Sequence, residues 1–175
     1  MGEVVENGKW RDLRMHRQDL EVAGKAMLSF GVWTVLRTLF GIVLGDAQID
    51  ALVQSAVPEG SSETVQVLTT VFTLALFMIL VLLGFLIHFL IYRGAIKESY
   101  GKKVGWFYLI LTVIMGVSSI ASIIYTVISI LGKAEFAVAD LLFDITITII
   151  CIDIFYNGIN SKKLKKELMA SGERV

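Results

Sequence analysis

Four apolar stretches, each long enough to cross a lipid bilayer, constrain this chain more than any other feature of its sequence. They cover residues 26–45, 65–92, 104–131 and 136–157. A helix of about 20 apolar residues spans the hydrocarbon core of a bilayer. A chain in lipid must satisfy its own backbone hydrogen bonds, and these stretches are too long for barrel strands. The sequence therefore predicts an all-α integral membrane protein, a four-helix bundle.

Composition supports the same fold class. The chain has 175 residues, of which 55% are hydrophobic, and its mean hydropathy is +0.73. A soluble domain of this size could not bury so much apolar surface, so part of its solvent must be lipid.

The basic residues alternate along the chain and predict its orientation. Residues 1–25 carry five Lys or Arg, the first loop none, residues 93–103 four, the third loop one, and residues 158–175 five. By the positive-inside rule, this alternation places both termini in the cytoplasm. We expect a cytoplasmic N-terminal segment (1–25), a transmembrane domain (26–157) and a basic cytoplasmic tail (158–175) in a plasma membrane of the bacterial type. Asp19 is a candidate N-cap for the first spanning helix.

The first external loop, residues 46–65, contains an amphipathic pattern. Its apolar residues recur at helical spacing, at Ile49, Leu52, Val53, Ala56 and Val57. Such spacing predicts a short amphipathic helix, which would lie flat on the outer membrane surface.

Charged side chains within the spans are the strongest candidates for a functional site, because each costs at least about 2.5 kcal/mol at the bilayer centre. Arg37 lies eight residues before the outer end of the first span, and Asp144 eight residues after the outer start of the fourth. Both are roughly 12 Å deep at 1.5 Å per residue. We therefore predict an Arg37–Asp144 pair, with Asp140 one turn outward on the same face.

This predicted pair has three interpretations. It could be a structural contact that fixes helix register, or part of a proton or ion relay. The third is that Asp140 lies among the headgroups, since span ends are defined only to within a few residues.

A second polar pair is predicted near the inner boundary. His88 and Asp153 each lie four residues, roughly 6 Å, inside their spans. They could meet each other, or both could extend to the inner interface. In the tail, the lysines that flank an apolar stripe are predicted to contact anionic lipid headgroups rather than nucleic acid. These are Lys162, Lys163, Lys165 and Lys166.

The sequence carries no pattern typical of an enzyme. It has no GxxxxGK[ST], HExxH or GxSxG motif, one cysteine and two histidines. We therefore expect no catalytic residue, metal site or cofactor. The leading interpretation is a structural, accessory or regulatory membrane protein whose expected partner is a second copy of itself or another membrane protein. The alternative is a small transporter or channel component that uses the intramembrane Arg and Asp residues.

Overall fold

The computed structural model describes residues 2–45, 47–58, 60, 62–131 and 138–172 of the chain. These ranges contain five helices and no strand. In chain order they are α1 (Gly2–Leu44), α2 (Ala47–Ala56), α3 (Glu63–Ser99), α4 (Phe107–Leu131) and α5 (Val138–Ala170). All except α2 are long and apolar enough to cross a membrane. The prediction of an all-helical chain with four potential spans is confirmed.

Three helices, α1, α3 and α5, extend further than their apolar stretches. Helix α1 continues from Gly2 to Leu44 without a break at Asp19, so the expectation of a cap there is wrong. The reason is that Leu13, Leu20 and Met27, spaced seven residues apart, are fully buried on one face of α1. Such spacing brings residues back to nearly the same side of a helix, and burial of that side stabilises the helix beyond the apolar stretch.

Helix α3 likewise includes the first part of residues 93–103, the polar segment between the second and third apolar stretches, which we expected to be a loop. It ends only at Ser99, where Gly101 adopts a φ of +71°. The N–H of Lys102 donates to the carbonyl of Lys97 (3.0 Å), and the N–H of Gly101 donates to that of Glu98 (2.9 Å). These two bonds form a Schellman motif, which ends a helix at a residue in the left-handed region. The non-helical connection to α4 is therefore residues 100–106.

The chain divides into two compact units. The first unit comprises the residues up to Leu28 and those from Phe89 onward, and the second unit is Ser29–His88. In the second unit α1 and α3 approach closely at Gly31, where an added Cβ would lie 2.8 Å from the Cβ of His88. Helix α2 also belongs to this unit. Its position at a membrane surface stays a prediction.

The first unit contains most of the buried residues, and α4 packs directly on α5 within it. A Cβ at Gly116 would lie 3.3 Å from the Cβ of Cys151, and one at Gly158 would lie 2.8 Å from Leu109 Cδ2. Small residues at these positions allow the two helix backbones to approach, which is how membrane helices commonly pack. By contrast, large apolar side chains such as Ile114 and Ile124 remain exposed along α4. This apolar surface suits lipid contact.

Candidate functional site

A buried ion pair occupies the end of the first unit where α3 leads into α4, which we call the loop end. Glu98, near the end of α3, has a side chain that is only 2% exposed. Lys162 on α5 places its Nζ 2.8 Å from Glu98 Oε2, and its own side chain is 15% exposed. The same Nζ donates to the carbonyl oxygen of Val104 at 2.7 Å. A buried carboxylate is tolerated when a cation and further hydrogen bonds compensate its lost hydration.

Aromatic rings complete the surroundings of the Lys162 ammonium. Its Nζ lies 5.7 Å from the ring centroid of Trp106 and 5.5 Å from that of Tyr108. Both distances are within the range of a cation–π attraction. Trp106 and Tyr108 flank the first residue of α4, so this one lysine connects α5 with α3 and with the start of α4.

Two further cations surround the end of α3. Lys165 Nζ donates to the carbonyl oxygen of Gly101 at 2.6 Å. The guanidinium of Arg17, on α1, packs against the same glycine, and an added Cβ there would lie 3.0 Å from Arg17 Nη2. Arg17 Nε and Nη2 are buried and have no hydrogen-bond partner in the described part of the chain. The loop end therefore holds a concentration of positive charge.

Polar contacts also connect α1 with α5. Lys9 Nζ lies 2.9 Å from Glu167 Oε2, with both side chains about 40% exposed. His16 Nδ1 lies 2.7 Å from Asn157 Oδ1, and Asn157 Nδ2 donates to the carbonyl of Asp153 at 2.9 Å. An exposed pair such as Lys9–Glu167 contributes little stability, whereas the Asn157 bonds are buried enough to fix how α1 meets α5.

A cavity opens beside the buried ion pair. Its volume is about 400 Å³, within the range of small-molecule sites in proteins. Four lysines and one carboxylate contribute to its wall, together with Val104, Gly105 and Met169. The charged residues are Glu98, Lys102, Lys103, Lys162 and Lys165.

The residues of the predicted intramembrane pair fall in different units. Asp144 lies on α5 in the first unit, where its Oδ2 accepts a hydrogen bond of 2.6 Å from the hydroxyl of Ser122 on α4. Arg37 lies on α1 in the second unit, and the side chain of Asp140 is outside the described residues. The Arg37–Asp144 pair stays a prediction. The hydrogen bond from Ser122 to Asp144 was not predicted, although a serine hydroxyl can donate to a carboxylate.

The predicted inner pair is also divided between the units. His88 is buried in the second unit, and its Nδ1 lies 2.8 Å from the carbonyl oxygen of Gly84, so this nitrogen carries the donated proton. Its Nε2 is buried and has no hydrogen-bond partner among the described residues. Asp153 lies on α5 in the first unit, at an exposed position. Their pairing stays a prediction.

The four tail lysines separate into two kinds. Lys162 and Lys165 point into the protein, where they bind Glu98 and the Gly101 carbonyl. Lys163 is exposed on the same helix, and so is Lys166. Only Lys163 and Lys166 therefore keep their ammonium groups fully available for the predicted contact with lipid headgroups.

Glu98 is the main functional candidate that the sequence did not single out. One signal could have identified it. Ile91, Ala95 and Glu98 follow each other at i, i+4 and i+7, so Glu98 continues the buried face of α3 beyond the apolar stretch. It is also the one acidic residue among the basic residues 93–103.

The described residues include no group of three or more His, Cys, Asp or Glu side chains that could hold a metal ion. Tested against protein-family models, curated proteins and solved structures, the chain matches none of them.

Proposed function

We propose that this chain is an integral protein of a bacterial-type plasma membrane, that it acts as a structural, accessory or regulatory subunit, and that both its termini are in the cytoplasm. The alternation of basic residues supports this orientation. It would place the loop end, with its buried pair and its cavity, at the cytoplasmic side of the membrane.

The observation that carries the proposal is the position of Asp153 on α5. Its carboxylate is exposed, and no described residue offers it a hydrogen bond or an ion pair, while its exposed neighbours Ile152 and Tyr156 suit lipid or another helix. Charged groups within membrane spans usually face a protein interior and are paired. An outward-facing carboxylate of this kind is therefore best satisfied by a donor on another membrane helix, from a second copy or from a different protein.

The test is whether association depends on this carboxylate. The protein is purified in mild detergent, its mass is measured by light scattering, and neighbours are captured in membranes by a photo-cross-linking residue at position 156. We expect a defined complex that Asp153→Ala dissociates and that the adjacent control Ile152→Ala leaves intact. A monomer without cross-links, or a complex indifferent to Asp153→Ala, would contradict the proposal.

The alternative function, a small transporter or channel component, rests on the Ser122–Asp144 contact. In this contact the Ser122 hydroxyl donates to the Asp144 carboxylate. The sequence predicts a depth of roughly 12 Å for Asp144, where a permeating ion or proton would need polar groups. Asp144→Asn distinguishes the two roles. In a transporter it abolishes flux in reconstituted vesicles and leaves thermal stability unchanged. If the contact is structural, Asp144→Asn lowers thermal stability. If Arg37 and Asp144 are paired, a variant in which their charges are exchanged keeps the stability of the unmodified protein.

A further inference from the structure

The cavity at the loop end has the chemistry of an anion site. Four lysines and one carboxylate contribute to its wall, which leaves a net charge of three positive units. Glu98 is already compensated by Lys162 at 2.8 Å. The remaining ammonium groups, on Lys102, Lys103 and Lys165, have no carboxylate of their own within the cavity wall.

A bound anion would stabilise this part of the protein, because the cations in the cavity wall repel one another. Burial lowers the pKa of Lys165, the nearby negative charge of Glu98 raises it, and the positive charges of Arg17, Lys162 and Lys103 lower it further. Like charges held together in a partly dehydrated site destabilise one another, and an anion between them relieves this repulsion. Arg17 Nε and Nη2, buried beside Gly101 without a hydrogen-bond partner among the described residues, add to the positive potential.

The shape of the cavity is compatible with a phosphate group attached to something larger. A volume of about 400 Å³ exceeds the needs of a small inorganic ion. Val104 and Met169 provide an apolar part of the wall beside the lysines. Lysine binds phosphate as a point charge, so several lysines can share one phosphate without strict geometry.

We infer that this cavity binds a phosphate-bearing anion, and that the natural source of the phosphate is the headgroup of an anionic lipid. Basic pockets between membrane helices on the cytoplasmic side bind such headgroups. The inference rests on the proposed orientation of the chain but not on its association with a partner, so a failure of the association test leaves it standing.

The experiment measures lipid binding to the purified full-length protein in phosphatidylcholine nanodiscs. Phosphatidic acid, which has a phosphomonoester headgroup, is titrated into the nanodiscs, and binding is read from thermal stabilisation and from lipid retained in native mass spectrometry. We expect saturable stabilisation of the unmodified protein. Lys102→Gln/Lys103→Gln should weaken binding roughly 30-fold, the combined effect expected from two lysines near an anionic headgroup.

The matched control is Arg93→Gln/Lys97→Gln. It removes the same charge from exposed positions on the last turns of α3 that lie outside the cavity wall. We expect this control to change binding by less than about 3-fold. If the Lys102/Lys103 double variant does not fold, Lys103→Gln alone, expected to weaken binding about 5-fold, decides the question.

Inorganic phosphate, added as a second probe, distinguishes a lipid headgroup from a soluble molecule as the source of the bound phosphate group. If only phosphatidic acid stabilises the protein, the lipid is the source. If inorganic phosphate stabilises it equally and displaces the lipid, the cavity binds phosphate from a soluble molecule. Absence of saturable binding to both probes, or equal weakening by the cavity variant and the Arg93/Lys97 control, would overturn the inference.

Discussion

Removal of Lys162 is the most direct test of the buried ion pair. Lys162→Met keeps much of the side-chain volume and removes the cation that lies 2.8 Å from Glu98 Oε2. Because the Glu98 side chain is only 2% exposed, its carboxylate loses its cation without regaining full hydration. Removing one member of a buried pair costs about 3–5 kcal/mol, since the other charge is left uncompensated.

This cost can be expressed as a change in melting temperature. For a protein of 150–250 residues, 1 kcal/mol corresponds to roughly 2–4 °C, so Lys162→Met should lower the apparent Tm by about 6–20 °C. Because thermal unfolding of membrane proteins is commonly irreversible, all variants are compared in one detergent at one scan rate. Lys163→Met, an exposed neighbour on the same helix, is the control and should shift the Tm by less than about 2 °C.

A second substitution then separates the charge from its surroundings. Glu98→Gln in the Lys162→Met background removes the uncompensated carboxylate and should recover at least half of the lost Tm. If Lys162→Met behaves like Lys163→Met, or if the double variant is less stable than Lys162→Met alone, the pair does not stabilise the loop end and our reasoning is refuted.

Three further substitutions or reagents test the packing of the first unit. Gly94→Ala should destabilise the protein by about 1–3 kcal/mol because its Cβ would overlap that of Tyr108, whereas Gly84→Ala on the same helix meets open space and should be neutral or slightly stabilising; thermal unfolding in detergent measures both. Gly101→Ala should lower stability by about 1 kcal/mol or more, because a φ of +71° strains any residue with a Cβ, and a Tm equal to that of the unmodified protein would contradict this. Cys151 is buried, so maleimide should label it slowly in the folded protein and fully in denaturing detergent; rapid labelling before unfolding would show that α4 and α5 separate.

The sequence predicts which charged residues lie within the apolar stretches, but it does not predict which side chains they contact on other helices. The charges within the apolar stretches could be identified because their cost depends only on local surroundings. The hydrogen bond between Ser122 and Asp144 could not, because equal depth along two helices does not specify how each helix is rotated. Ser122 meets Asp144 through the packing of α4 on α5, a geometry that no spacing within one helix encodes.

The sequence by itself determined that the chain is helical and that four segments are able to cross a membrane. Both follow from the length of an uninterrupted apolar run, a local property. The tertiary structure alone decided which charges are buried and which are exposed. Glu98 and Lys162 are 64 residues apart and become an ion pair because α3 and α5 converge at the loop end, whereas Lys163, one residue away, faces outward. Successive helix positions differ by about 100° in direction, so the fate of each lysine depends on what α5 packs against.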